Sequence, residues 1–547
     1  MSEQASVPAG GVGGASGSGQ EGGLKRSISW QGAFWVAAGV PALVLFSIGG
    51  IAATVGVPSW LVWTISVCFG FLQAFTYAEI AGLFPNKSGG ASVYGAAAWL
   101  RYSKLIAPVS VWCNWLAWSP VLAIGVGIAA GYILNALFPA DAAIVTWQLT
   151  LLDLSGLKEG LSLRIDATFI LGAAILLVVF FAQHHGISRL AKIQTVMAIA
   201  VLIPLLLIGV VPIISGDIVA ANFSPFAPIA YGADGSIIMD ASKWSWDIDG
   251  WTLFLGGMFI AAWSTYAFET AICYTSEFKN PKTDTFKAIF FAGLLCIFAY
   301  TVIPFSFQGV LGVEGMLEDG IVDGTGVAAA MAGMVGGGAF IGNVVVIMLI
   351  FALILAVMTS MAGSSRTLYQ GSVDGWLPKY LSRVNHHGAP TAGMWTDLGF
   401  NLILLLMSDY LFVLAVSNCC YIIFNFLNLN AGWIHRMDNG HVHRPWRAPT
   451  AILAIGVVLS FVNLVFMGAG ANVWGAGTLM TGIVVIAMII PVFCYRHYIQ
   501  DGGKFPARML SDVEVDGKTG EKKAGILPYV VLVIGVAVVV TSNSIFG

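Results

Sequence analysis

Thirteen apolar runs, each long enough to cross a bilayer as a helix, constrain this chain more than any motif in it. They fall at 32–56, 58–84, 104–136, 166–183, 191–214, 252–275, 286–311, 340–363, 391–408, 409–433, 449–469, 475–495 and 525–543. A transmembrane helix needs about 20 predominantly apolar residues. The ninth and tenth runs are parted only by the "SDY" of residues 408–410. Charged residues make up 10% of the 547 and hydrophobic ones 58%, against roughly 25% charged in an ordinary soluble domain. So few charges cannot cover a water-facing surface. The fold class that follows is an all-α integral membrane protein of twelve spans plus a thirteenth.

Charge placement orients it. With the N-terminus in the cytoplasm, the inner segments carry 22 of the 25 Lys and Arg residues, and the outer segments carry Lys158, Arg164 and Lys243. That is the asymmetry of the positive-inside rule, and an error of one span upstream would scramble it. The expectation is a multi-pass protein of the cell (inner or plasma) membrane with a cytoplasmic N-terminus, whose thirteenth span places the C-terminus outside. Residues 1–27 form a Gly/Ser-rich cytoplasmic tail, disordered by composition and without the apolar core of a signal peptide. The core occupies 28–497, a charged cytoplasmic linker 498–524, and the extra helix 525–547.

Other chemistries find little support. The net charge of −3 points to no nucleic-acid partner, and the seven cysteines show neither metal spacing nor a disulfide framework. His184–His185 and His386–His387 are adjacent pairs whose members point apart on a helix, and with His441 and His443 they form no preformed metal set. No cofactor is implied. No nucleophile–base constellation lies inside the spans, so the chain is not read as an enzyme. The partners expected are the lipid bilayer and a small molecule; oligomeric state stays open. Acidic outer residues, among them Asp217, Asp234, Asp240, Asp247, Asp249, Glu314, Glu318, Asp319 and Asp323, form either a solvated surface or a cation-attracting vestibule.

Two spans are interrupted. The first reads "VPALVLFSIGGIAATVG", with Ser47, Ile48, Gly49, Gly50 and Ile51 at its centre. The sixth carries "WSTYAFET", Trp263 to Thr270, inside an apolar run. The two are five apart in span order, the spacing of two inverted five-helix repeats, and breaks at matching positions of two halves point to a transporter site. A broken helix frees backbone groups that are tolerable only where they line a cavity. The N–H groups beyond Gly49–Gly50 carry a positive half-helix end that suits a carboxylate. The carbonyls around Trp263, Ser264 and Thr265, and those before Ser47, suit an ammonium. A zwitterionic amino acid satisfies both. Close helix packing is the other use of such glycines.

These residues also carry a resemblance. "IGGIA" resembles the first-helix pattern of the amino acid–polyamine–organocation permeases, and "YAEIAGLFPNKSGGASVYG" the end of their second helix. "SEFKNPK", "SSRTLYQGSVDGWLPKYLSRVN" and "HRPWRAP" are similar to family segments after helix six, after helix eight and before helix eleven. The resemblance covers roughly residues 30 to 495. It implies a LeuT-type 5+5 inverted repeat with discontinuous helices 1 and 6, alternating access, and substrate held at the midplane. "WSTYAFETA" resembles the sixth helix of the family's arginine–agmatine antiporters, which implies an aromatic gate at Trp263 and a proton-sensing Glu269. The family positions that hold arginine align here with Leu122 and Ser360, so Trp118, Leu122, Tyr266, Ala267 and Phe268 would line a pocket for a smaller or more apolar substrate. Thr359 and Ser360 resemble the hydroxyl pair of a sodium site in related proteins. A helix-five lysine that replaces sodium in some members aligns here with Val201.

Glu269 sits just past the break. A charge at that depth costs several kcal/mol at least, which protonation removes, because burial disfavours a charged carboxyl. Three roles stay open: exchanging a coupling proton, bracing helix six as a neutral acid, or binding a substrate amine. Glu79, beside Pro85 and Lys87, is read as structural pairing, and Asp397 falls either a third of the way into the ninth span or at its start. The function expected is secondary active transport of amino acids, coupled to H+ or Na+ or running as exchange. An amine or polyamine carrier is the alternative, and a transporter-like nutrient sensor the second.

Overall fold

The computed structural model describes residues 24, 26–185, 187–232, 234–322, 324–507, 509 and 522–547. The tail expected at 1–27 lies almost wholly outside these, as do Asp323 and residues 508 and 510–521 of the charged linker. Among the described residues, eleven helices are long and apolar enough to cross a membrane, and the chain is a multi-pass membrane protein. Numbered in chain order, span 1 is Trp30–Val55, span 2 Ser59–Gly82 and span 3 Ile106–Leu137. Span 5 is Ala191–Ser215, span 6 Ile248–Glu277, span 7 Pro281–Met316 and span 8 Gly338–Val373. Spans 10 to 13 are Tyr410–Asp438, Thr450–Trp474, Thr478–Gln500 and Leu527–Phe546. Two of the thirteen runs hold shorter helices, span 4 at Ala167–Gln183 with 17 residues and span 9 at Thr391–Leu404 with 14.

Acidic residues start three of these helices. Asp166 accepts from Phe169 N (2.8 Å), Asp247 from Gly250 N (2.9 Å) and Asp409 from Phe412 N (3.0 Å). Each satisfies an N–H group left over in the first turn and complements the positive helix end. For Asp247, the Ser245 hydroxyl and then the Gly250 N–H hold the carboxyl below its usual range. Part of the acidity of these loops is therefore capping.

Both expected interruptions are present, and the first lies upstream of its glycines. Span 1 is helical over Trp30–Ala37, tightens to a 3-10 helix over Val40–Phe46, and resumes at Ile48–Val55. Span 6 is helical to Thr265 and continues as a 3-10 helix over Ala267–Ile272. Gly49 sits in the first turn after its break because the backbone of Ile321 leaves no room for a Cβ there. Tyr300 of span 7 ties the two breaks together. Its buried hydroxyl donates to Val40 O (2.6 Å) and lies 3.1 Å from Ser264 O, and its ring stacks on Trp63 with centroids 5.5 Å apart. Ser264 Oγ donates back to Leu43 O (3.2 Å), and Ser66 Oγ meets Thr265 Oγ1 at 2.7 Å.

One end of the bundle, the Lys- and Arg-rich one, is closed by buried ion pairs. Glu79 takes Arg436 on both oxygens (2.9 and 2.6 Å), Arg444 Nε at 3.0 Å and the Ala448 N–H at 2.9 Å. Lys87 meets Asp374 at 2.8 Å, and Arg366 binds Glu277 through two nitrogens. Every partner belongs to one of the motifs that carried the resemblance or to the end of span 10. The charges therefore join spans 2, 6, 8 and 10 at this end.

The opposite end carries an element that the apolar runs do not announce. Strands β1 (Gln148–Asp153) and β2 (Ser162–Asp166) form an antiparallel hairpin between spans 3 and 4. The free edge of β2 bonds the link between spans 9 and 10, through Arg164 N to Leu406 O (2.8 Å) and Ser408 N to Ser162 O (2.9 Å). Lys158 at its tip pairs with Asp409. Span 13 docks at the periphery along span 11, where Gly468 and Gly535 let the helices approach, and most of it stays exposed to the surroundings.

Tyr300→Phe is expected to cost about 1–3 kcal/mol, the penalty for an unpaired buried acceptor, read as a lower thermal midpoint in detergent. An unchanged midpoint would show that the Val40 and Ser264 carbonyls have other partners. Glu277→Ala leaves Arg366 buried without a counter-charge and is expected to cost about 3–5 kcal/mol by the same measurement.

Candidate functional site

A proline decides how the centre is built. Pro120 has no N–H, so span 3 breaks between Ile106–Trp118 and Val121–Leu137 and leaves carbonyls of the preceding turn free. Three other spans take them. Ser417 Oγ of span 10 lies 2.9 Å from Leu116 O and 3.1 Å from Ala117 O. Trp263 Nε1 of span 6 lies 3.1 Å from Ala117 O and 2.9 Å from Ser417 Oγ. Ser360 Oγ of span 8 donates to Trp118 O at 2.5 Å. The kink thereby docks the indole of Trp263, whose ring centroid is 5.7 Å from that of Phe46.

Beneath that indole lies a small closed cavity, lined by Leu43, Ala117, Trp118, Val121, Trp263, Ala267 and Tyr421, with no room for a water molecule. On the hairpin side opens a cavity of about 890 Å³, lined among others by Ala123, Ile124, Arg164, Asp166, Thr325 and Leu404. Val121 lines one cavity and Ala123 the other, so along span 3 they are less than a helical turn apart. Trp263 lines the smaller of the two.

Trp118 faces two ways. Its ring lines the closed cavity, and its Nε1 donates to Glu269 Oε1 at 2.9 Å. Glu269 is 1% exposed, and its Oε2 has no hydrogen-bond partner. That oxygen faces Gly90, where an added Cβ would stand 3.8 Å from it. Gly90 has a φ of +86°, and a Cβ would also press on Cys273 Sγ at 2.9 Å. Glycine is needed at this close approach.

The other expected site residues divide. Trp118, Trp263 and Ala267 meet at the cavity. Ser264 and Thr265 serve the break through their bonds to spans 1 and 2. Tyr266 turns to span 11, donating to Asn463 Oδ1 at 2.9 Å, and Phe268 packs on Gly293 of span 7. Ser47, Ile48, Gly49, Gly50 and Ile51 are all buried at the start of the second half of span 1, and Ser47 Oγ has no partner. Leu122 is buried but off the cavity lining, where its neighbour Val121 stands. Leu43, Ala117 and Tyr421 were not anticipated; each is an apolar or aromatic residue inside an apolar run, with nothing local to mark it.

Thr359 and Ser360 point to different helices. Thr359 Oγ1 donates to Val36 O (2.5 Å), while Ser360 is bound to Trp118 O. The span 5 residue that reaches Thr359 is Gln194, whose Nε2 lies 3.3 Å from the hydroxyl and 3.4 Å from Val36 O. Val201, at the position that resembles the family's helix-five lysine, lies about two turns further along the same helical face. At the basic end the two histidine pairs approach, the His185 and His387 rings being 5.4 Å apart. Among the described residues no group of three or more His, Cys, Asp or Glu could hold a metal ion.

A family model described as amino acid permease matches residues 28–498. Among curated relatives, the polyamine transporter PUT1 of Oryza sativa subsp. japonica is 22% identical over 462 residues, 81% of this chain and 75% of its own. The uncharacterized amino acid permease YecA of Bacillus subtilis (strain 168) is 23% identical over 456 residues, 80% of this chain and 91% of its own. The branched-chain amino acid permease BcaP of the same organism is 23% identical over 367 residues, 66% of each.

A cysteine placed at Ala267, in a variant with Cys68 and Cys494 changed to Ser, tests the closure. Trp263→Ala is expected to speed its reaction with a polar thiol reagent by about tenfold, equivalent to some 1.4 kcal/mol. Equal rates would mean that Trp263 does not close the centre.

Proposed function

The chain belongs to the amino acid permease family, within the amino acid–polyamine–organocation superfamily, and from that premise we propose that it is a proton-coupled secondary transporter of amino acids working by alternating access. It is a transporter rather than an enzyme. The observation that carries the reading is Trp118, which lines the closed cavity with its ring while its N–H holds the half-satisfied Glu269. A substrate that moves this indole changes the hydrogen bonding of the carboxylate, and a proton on Glu269 changes what the indole can bond. Substrate and proton then meet at one side chain.

The two breaks, five spans apart, support a LeuT-type repeat of five plus five helices. The positive half-helix end at Ile48–Gly50 suits a substrate carboxylate, with Ser47 Oγ as a free partner beside it. Leu43, Val121, Ala267 and the rings of Trp118, Trp263 and Tyr421 give the cavity an apolar lining that suits an apolar side chain once it widens. A proton rather than sodium is favoured as the coupling ion, because the Thr359 and Ser360 hydroxyls are bound to carbonyls of two different helices. The positive-inside rule puts the ion-paired end in the cytoplasm and the hairpin outside, in the cell membrane. The large cavity then opens outward while the inner face is locked.

A second reading has its own support. Glu269 Oε2 is unpartnered, the cavity that Trp118 lines is walled by aromatic rings, which attract cations, and two of the curated relatives are named polyamine transporters. An amine substrate would bind that oxygen directly.

Uptake of labelled amino acids into proteoliposomes, with unlabelled putrescine and ethanolamine as competitors, separates the two. Accumulation without competition supports the carboxylate site, whereas full competition with negligible amino acid entry makes Glu269 a substrate ligand. Glu269→Gln is expected to fold and to lose most of the pH dependence of uptake. An unaltered pH profile in that variant would remove Glu269 as the coupling group.

A further inference from the structure

Asp397 is a second buried carboxyl among the spans, and the transport reading leaves it without a role. It lies midway along span 9 with 0% exposure. Oδ1 accepts from Trp115 Nε1 (2.6 Å) and Ser119 Oγ (2.8 Å), both of span 3, and Oδ2 accepts from Ser364 Oγ of span 8 (2.5 Å). Every donor is neutral. The charged and titratable groups on the packed elements face elsewhere: Arg366 of span 8 is bound to Glu277, and His184 at the end of span 4 meets Thr391. Tyr380 meets Thr396 on the outer face of span 9, and Glu269 is reached from the other tryptophan of span 3, Trp118. By contrast, Glu79, Glu277 and Asp374 each have a cation. A carboxylate kept permanently charged at this depth would carry its full cost without one.

The surroundings suit both protonation states. Hydroxyls donate and accept, and Ser364 Oγ has an alternative acceptor in Met361 O at 3.5 Å. When Oδ2 carries a proton it donates to Ser364 Oγ, which turns its own hydrogen to Met361 O. A polar seam also leads outward. Asn401, one turn on, donates to Ser119 Oγ (2.8 Å) and accepts from Ala123 N (3.1 Å), and Ala123 and Leu404 line the 890 Å³ cavity.

We infer that Asp397 is a second proton-binding site, loaded from the hairpin-end cavity along the Asn401–Ser119 seam and linked to Glu269 through span 3. The step is proton transfer by relay: Ser119 Oγ passes its hydrogen to Asp397 Oδ1 and takes one from hydronium arriving from the cavity, which leaves as water, while Asn401 holds Ser119 in place and exchanges no proton itself. Trp115 and Trp118, three residues apart, each hold one carboxyl, so a change of tilt in span 3 acts on both. The inference rests on the transporter reading for its purpose, but its test does not need transport.

That test is pH-difference infrared spectroscopy of the full chain in phospholipid vesicles, reading the C=O stretch of protonated carboxyls. Glu269→Gln is expected to keep one titrating band from a buried carboxyl, and Asp397→Asn to lose it. Ser364→Ala, which keeps the carboxyl but removes a donor, should move the band's midpoint by about one pH unit. The absence of a titrating band in Glu269→Gln overturns the proposal, as does a band unmoved in Ser364→Ala, even if Asp397→Asn fails to fold. If instead the band behaves as expected while Glu269→Gln transports with an unaltered pH profile, the coupling role of Glu269 falls and Asp397 stands.

Discussion

A backbone that breaks inside a bilayer has to find partners for the groups it frees, and this requirement organises the whole centre of the molecule. Three spans break. The Val40 and Ser264 carbonyls of spans 1 and 6 meet the same Tyr300 hydroxyl. The turn of span 3 before Pro120 is taken up by Ser417, Trp263 and Ser360. With no water in the hydrocarbon core, each such bond replaces one that solvent cannot supply. The breaks are therefore clamped, and the clamps are side chains from the spans that would have to part for the centre to open.

Opposite ends of the bundle are treated differently. At the basic end, buried pairs join Glu79 to Arg436 and Arg444, Lys87 to Asp374 and Arg366 to Glu277. At the other end, spans 3 and 10, the hairpin and the neighbouring loops surround a cavity of about 890 Å³. Buried ion pairs hold mainly by geometry, since desolvation offsets much of their attraction. Such pairs lock when aligned and release when water enters. An open cavity at one end and paired charges at the other fit one state of the alternating-access cycle proposed above.

Much of this was legible along the chain. Apolar length marked the helices, Lys and Arg distribution marked the basic end, and "IGG" with "WSTYAF" marked the two breaks. Glu269 stood out because a carboxylate in an apolar run needs a reason. Other features left weaker traces. The hairpin's signal was the alternation of "QLTLLD" and "SLRID" around a Gly-containing turn, masked by its position between two spans. Tyr300, Tyr421 and Val121 had no local signal, because an aromatic or aliphatic residue in an apolar helix looks the same whether it faces lipid, a neighbour or a cavity.

The sequence by itself determined that the chain crosses a membrane many times, which end carries the charge, and where two of its helices fail, because hydrophobic length, charge and glycine act locally and show in one dimension. Only the tertiary structure decided which side chains meet. That Trp118 holds Glu269 while Trp115 holds Asp397, and that Gln194 reaches Thr359, depends on the rotation and depth of each helix against its neighbours. Those are set by packing between spans far apart in sequence, and no single span encodes them.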